Sequence, residues 1–261
     1  MSQIVEIDGV KYAAGPGDGI DISIPLRFGG PQPSAFGVEP AVSQACEYGG
    51  LIGDTRRGGS CNFERVTFIP HCNGTHTEGV GHITDERISI RNCLADVLIG
   101  AVLVTVEPGT ISDGDRIIGL EDVENALARW PWNTATALIV RTLPNDRDKL
   151  SRVYDESFVP PYFSEDAMRL IVESGFKQLL VDLPSIDRIF DEGRLENHRI
   201  FWNVEPGSRE TNSRTRFTST ITELIYVPEA VPDGHYLLNL QIASFEADAA
   251  PSRPVLFGAV S

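Results

Sequence analysis

The middle of the chain constrains its fold most, because strand-like and helix-like patterns alternate there at short spacing. Runs of β-branched and aliphatic residues at 97–106, 137–142 and 178–182 read as strands. Between the first two, Leu120, Val123, Leu127 and Trp130 recur at helical spacing, and Glu121, Asp122 and Glu124 sit where acidic groups complement a helix dipole. A second helix runs from a Ser164 N-cap through Ala167, Met168, Leu170 and Ile171 to Gly175, a residue suited to the C′ position. The next strand begins three residues after that stop. Further strands are expected at 66–69, 236–242 and 255–260, and in the alternating run Asp21-Ile22-Ser23-Ile24-Pro25-Leu26, which lies between Gly- and Pro-rich turns. A strand-rich first third, a βαβ-like middle and a strand-rich end predict a mixed α/β (α+β) fold. With no repeat, low-complexity tract or long linker, one domain over 1–261 is the expectation.

Composition narrows the function. The 261 residues are 41% hydrophobic, enough to close a core, and carry a formal charge of −15 with no dense basic patch, so a nucleic-acid partner is not expected. The basic cluster from Arg209 to Arg216 is diluted by Thr, Asn and Ser and reads as a polar loop. No stretch approaches the ~18 apolar residues of a membrane span, and the first residues lack a basic, then apolar, leader. A cytoplasmic protein with no membrane partner is expected. Cys46, Cys61, Cys72 and Cys93 are too sparse for a disulfide framework and read as reduced thiols.

The chemistry concentrates in Cys72-Asn73-Gly74-Thr75-His76-Thr77-Glu78-Gly79-Val80-Gly81-His82. Three of the five histidines, His71, His76 and His82, fall within twelve residues together with Cys72 and Glu78. Imidazole, thiolate and carboxylate are the groups that hold zinc and similar ions, at about 2.0–2.3 Å. In an extended chain alternate residues share a face, so Cys72, His76, Glu78 and His82 are expected on one side and His71 on the other, unless a turn at Asn73-Gly74 resets the register. Gly74, Gly79 and Gly81 leave room for backbone to approach a metal or substrate, and Thr75 is expected to hydrogen-bond locally and so orient the ligands. A structural zinc on Cys61, Cys72, His76 and His82 is the alternative, and Glu78 among the ligands favours a catalytic site. His235 reads as an ordinary surface or core residue.

This segment resembles the signature His-x-Gly-Thr-His-x-Asp-x-Pro-x-His of the cyclase-like metal hydrolases, a family that includes bacterial kynurenine formamidases and isatin hydrolases. Here Cys72, Glu78 and Val80 replace the first His, the Asp and the Pro, while Gly74, Thr75, His76 and His82 are kept. Leu180-Val181-Asp182-Leu183-Pro184-Ser185-Ile186-Asp187 with His198-Arg199 is similar to a second family segment. Glu223, followed by Pro232, Gly234 and Tyr236, resembles a third, Arg253-Pro254-Val255-Leu256 the closing strand, and the Asp21–Leu26 run the opening one. The resemblance implies a swivelling β/β/α fold, with a curved, barrel-like, mostly antiparallel sheet flanked by helices, in a homodimer or larger homo-oligomer. It implies Zn or Mn, and cleavage of a C–N bond in a formamide or cyclic amide, a small-molecule substrate, by metal-activated water. His76 and Glu78 are then metal ligands and Cys72 a third. His82, His198 and Glu223 either hold a second ion or act on the water and the leaving nitrogen. A thiolate at Cys72 favours zinc, whereas the longer Glu78 moves its oxygen by roughly an ångström. The alternatives are a non-catalytic member that binds a ligand or partner, and a metal-dependent cyclase or dehydratase.

Overall fold

The computed structural model describes residues 3–7, 9–130 and 135–260; Met1 and Ser2, where the leader reading begins, lie outside them. Its centre is a nine-stranded sheet built from Ile20–Asp21 (β1), His76–Glu78 (β2), Leu98–Val106 (β3), Ala137–Thr142 (β4), Gln178–Val181 (β5), Thr220–Glu223 (β6), Gly234–Asn239 (β7), Ala249–Pro251 (β8) and Val255–Gly258 (β9). The strands lie in the order β8-β2-β6-β5-β4-β3-β7-β9-β1. β3, β4, β5 and β6 run parallel, and every outer pairing is antiparallel. Parallel neighbours need crossovers, and helices Leu120–Leu127 (α1), Glu165–Glu173 (α2) and Glu196–Trp202 (α3) lie in the three connections.

Alternation along the central strands divides the core in two. Val102, Val104, Leu138, Val140, Leu179 and Val181 meet Val123, Leu127, Met168, Ile171, Phe201 and Trp202 of the helices. Ala101, Leu103, Ala137, Ile139 and Leu180 face the other way and meet Ile22, Ile225, Tyr236, Leu238 and Leu256. This second cluster contains no residue of α1, α2 or α3. The sheet must curl over its own concave face to bury these side chains, which produces a half-barrel with helices outside. Burial on both faces explains why the central strands are apolar throughout rather than alternating with polar residues.

The two helices read from periodicity are present. The Ser164 hydroxyl accepts from Ala167 N at 3.2 Å, capping α2, and Gly175 takes a φ of +86° after its end. α1 stops at Leu127, one turn short of Trp130. The expected strand at 66–69 is displaced to Glu64–Thr67 and pairs only with Val42–Ala45, outside the large sheet. Of the 21–26 run only Asp21 lies in a strand, Ile20–Asp21, although Ile22 and Ile24 still point inward. Among the described residues no helix is long and apolar enough to cross a membrane.

Candidate metal centre

The site forms where β2 lies between β6 and β8. His76 sits opposite Glu223 and Pro251, and Glu78 opposite Ile221 and Ala249. Two-residue periodicity puts His76 and Glu78 on one face, with Glu223 from the neighbouring strand on that same face. Thr77 and Thr222 point the other way, their hydroxyls 2.8 Å apart. The loop after β5 closes over the end of β6: Ile186 N donates to Glu223 Oε1 at 3.1 Å, and Leu224 N to Leu183 O at 2.9 Å. The site thus occupies the carboxyl ends of parallel strands, where connections diverge and leave a crevice.

His198 arrives from α3. Its Nδ1 meets Asp187 Oδ2 at 2.6 Å, and its Nε2 lies 3.0 Å from Glu78 Oε1 and 3.8 Å from Glu223 Oε1. The Asp187 carboxylate also accepts from Asn197 N at 2.7 Å and His198 N at 3.2 Å. Leu195, the residue at the helix start, offers no side-chain cap, so Asp187 serves as a remote N-cap and aims the imidazole with the same group. His76 is fixed differently. Its Nδ1 lies 3.1 Å from Gly74 O, which as acceptor makes Nδ1 a protonated nitrogen and turns Nε2 toward Glu223 Oε2, 3.5 Å away. Thr75 braces this turn, accepting from Ile24 N at 2.8 Å and donating to Leu224 O. It therefore ties the motif to distant chain, where a local role was expected.

Charge and burial define what the arrangement can hold. His76, Glu78, His198 and Glu223 are 0%, 1%, 2% and 3% exposed, so solvent screens little of their field. Among the described residues no Lys or Arg pairs with Glu78, Glu223, Asp187 or Asp248; every ion-pair partner is a histidine. Burial would raise the Glu78 carboxyl, but the facing His82, the His198 hydrogen bond and His71 outweigh it and hold Glu78 far below the usual carboxylate range. Burial would depress His198, yet Asp187 and Glu78 push it well above an ordinary imidazole. His76 is likewise raised, Glu223 overcoming desolvation. This field seeks positive charge. His76 Nε2 is buried without a hydrogen-bond partner, and in such a field an orphaned ring nitrogen beside two carboxylates suits a cation in place of a proton. Among the described residues three clusters have ligand atoms mutually within 4.8 Å: His76, Glu78 and Glu223; Glu78, His82 and His198; and His71, His82 and Asp248. The residues fit a metal ion.

Five of the six residues singled out in the sequence, His76, Glu78, His82, His198 and Glu223, are brought together here, and Cys72 is the exception. It belongs to none of the three clusters, and burial with the Glu223 and Glu78 charges pushes its thiol up to about 11. His71, expected to face away, instead places Nε2 3.5 Å from Glu78 Oε2 and 3.0 Å from Asp248 Oδ2. The parity reading is corrected because the extended segment is only His76–Glu78. Residues 71 and 72 lie in a turn pinned by Cys72 N and Asn73 N to Ile69 O, at 3.1 and 2.9 Å. The motif glycines also serve a different purpose. A Cβ on Gly79 would stand 2.8 Å from Cys93 Sγ, and one on Gly81 2.2 Å from Ile88 O, so these two admit the 88–93 segment, not a ligand. Gly74 is the one that needs a left-handed φ, +87°. Sequence reasoning missed Asp248, which no motif marks.

The fold and site together define a curled, mixed-sheet protein with a buried imidazole–carboxylate centre suited to a divalent metal ion. The chain belongs to the cyclase family: the model of the family described as putative cyclase matches residues 20–188. A kynurenine formamidase of Bacillus cereus is 26% identical over 201 residues, 76% of this chain and 81% of its own. That of Bacillus mycoides is 24% identical over 200 residues, with the same coverage of both chains. Among solved structures, a predicted metal-dependent hydrolase from Bacillus stearothermophilus superposes with a TM-score of 0.60 at 18% identity, covering 92% of this chain and 97% of that one. Isatin hydrolase A from Labrenzia aggregata gives 0.61 at 13%, covering 93% and 94%.

Proposed function

We propose that this chain is a metal-dependent hydrolase that cleaves the C–N bond of a formamide or cyclic amide. The observation that carries the reading is the convergence of His76 Nε2, Glu78 and Glu223 on one buried point with no Lys or Arg to neutralise them. The relatives named kynurenine formamidase and isatin hydrolase support the same chemistry. When bound, a divalent ion would polarise the carbonyl and lower the pKa of water toward about 7. His76, Glu78 and Glu223 would hold the ion, and His198 adjoins them. His198 has both nitrogens engaged, which suits a fixed ligand or positioning group better than a proton carrier. His82 is half-buried, and it borders an open cavity of about 280 Å³ shared with Thr84, Leu195, Arg199 and Arg209. This exposure, with Glu78 close by, supports a role for His82 in passing a proton from the attacking water to the departing nitrogen. With Cys72 outside the clusters the donors are nitrogen and oxygen, a set that suits zinc or manganese.

Phe68 and Phe245 pair with ring centroids 6.4 Å apart, each three residues before a side chain of the outer cluster, His71 and Asp248. This pair supports a substrate with an apolar or aromatic body. A homo-oligomer is part of the proposal, supported by exposed Val42, Tyr48, Leu51, Phe63 and Val66 on and around the small paired strands. The test is metal analysis of purified protein followed by hydrolysis assays on N-formylkynurenine, isatin and simple lactams. Stoichiometric metal and turnover lost on chelation are expected; protein that neither retains nor takes up zinc or manganese overturns the reading.

A further inference from the structure

The cluster of His71, His82 and Asp248 is not needed to hold an ion at His76, Glu78 and Glu223. Asp248 Oδ2 lies 3.0 Å from His71 Nε2 and 3.4 Å from His82 Nδ1. The distances are short, yet His71 Nε2 has no partner of hydrogen-bonding geometry. The two rings stack with centroids 4.4 Å apart and planes 26° from parallel, which brings their nitrogens to one carboxylate side by side. Donors around a tetrahedral ion at about 2.1 Å stand about 3.4 Å from one another, so these separations suit atoms sharing an ion between them.

The three side chains are carried by pinned backbone. His71 lies in the turn anchored at Ile69, His82 N donates to Gly79 O at 2.9 Å, and Gly79 N donates to Asp248 O at 3.0 Å just before β8. Side-chain exposures of 24%, 27% and 29% leave the cluster open to exchange with solvent, unlike the buried set. Two imidazoles and one carboxylate are donors that suit zinc and neighbouring divalent ions.

We propose that His71, His82 and Asp248 form an outer divalent-cation subsite beside the buried His76–Glu78–Glu223 centre, filled after it and reversibly. Glu78 Oε2, 3.5 Å from His71 Nε2 and 3.9 Å from His82 Nε2, stands between the two sites. An ion in the outer subsite takes the lone pair of His82 Nδ1 and removes that imidazole from proton transfer, so excess metal inhibits the enzyme. The inference rests on the buried group being a metal centre.

The test uses metal-stripped full-length protein in equilibrium dialysis against Zn²⁺, with bound metal measured directly, for the wild type, Asp248→Asn and His71→Gln. Wild type is expected to bind two equivalents, one tight and one weaker, and each variant only the tight one. Circular dichroism checks that the variants keep the wild-type fold. Inhibition by excess Zn²⁺ is expected in wild type and absent from both variants. A wild type that binds one equivalent, or variants that still bind two, overturns the outer subsite while leaving the buried centre standing. A wild type that binds none overturns both.

Discussion

Replacing Asp187 with Asn tests whether one carboxylate both caps a helix and aims a metal-site imidazole. In the native arrangement it accepts three hydrogen bonds, from Asn197 N, His198 N and His198 Nδ1. An amide at this position keeps one oxygen, which can still serve Asn197 N, and turns an NH₂ toward the two His198 donors. Each buried donor left unpaired costs about 1–3 kcal/mol, and losing a negative charge at the start of α3 adds about 0.3–1 kcal/mol. His198 can relieve part of this by moving its proton from Nδ1 to Nε2, which then no longer offers a lone pair to an ion. A net destabilisation of about 2–4 kcal/mol follows, or a fall in Tm of roughly 4–7 °C. Loss of such an orienting partner lowers metal affinity by about 10–100-fold. Urea unfolding of the metal-free protein measures the first effect, and competition with a zinc chelator of known affinity the second. Unchanged metal affinity alongside the expected destabilisation would reduce Asp187 to a helix cap, and unchanged values of both would refute the reasoning.

Cys72→Ser should leave Zn²⁺ affinity within about threefold, while a buried hydroxyl without a partner costs about 1–3 kcal/mol in stability; a tenfold or greater loss of affinity in dialysis would restore Cys72 as a ligand. Gly81→Ala forces a Cβ to 2.2 Å from Ile88 O, and because backbone cannot yield cheaply the protein should lose about 3 kcal/mol, seen as a Tm drop of roughly 5–6 °C. Burial pushes the Cys93 thiol up to about 11, so native iodoacetamide labelling at pH 8 should modify exposed Cys61 well before Cys93, with four thiols titrating after denaturation. Peptide mapping of the labelled protein reads that order directly. Light scattering on the eluting peak checks assembly, where a mass near 28.6 kDa, the monomer value, would argue against the homo-oligomer.

Much of this protein was legible in local pattern. The apolar runs 97–106, 137–142 and 178–182 and the amphipathic stretch after Ser164 become β3, β4, β5 and α2, because their residues bury the faces that their periodicity marks. His76 and Glu78 share a face for an equally local reason, two residues of one strand. Helix α3 was not legible. Its first turn has no capping side chain of its own and depends on Asp187 across the chain, so nothing at 195–196 announces a start.

The sequence alone thus determined the mixed fold, the His76–Glu78 pair and, through family motifs, the candidacy of His198 and Glu223. Tertiary structure decided which neighbours complete the site. Parity holds only while the chain stays extended, and the turn at 71–73 and the 3₁₀ turn Val80–His82 end it on both sides of β2. His71 consequently swings toward Glu78, while Cys72 stays out of the ligand clusters. Asp248 has no local mark at all. It reaches the centre because Ala249 pairs with Glu78 across the β8–β2 edge, a partnership fixed by closing the whole sheet rather than by any residue near either strand.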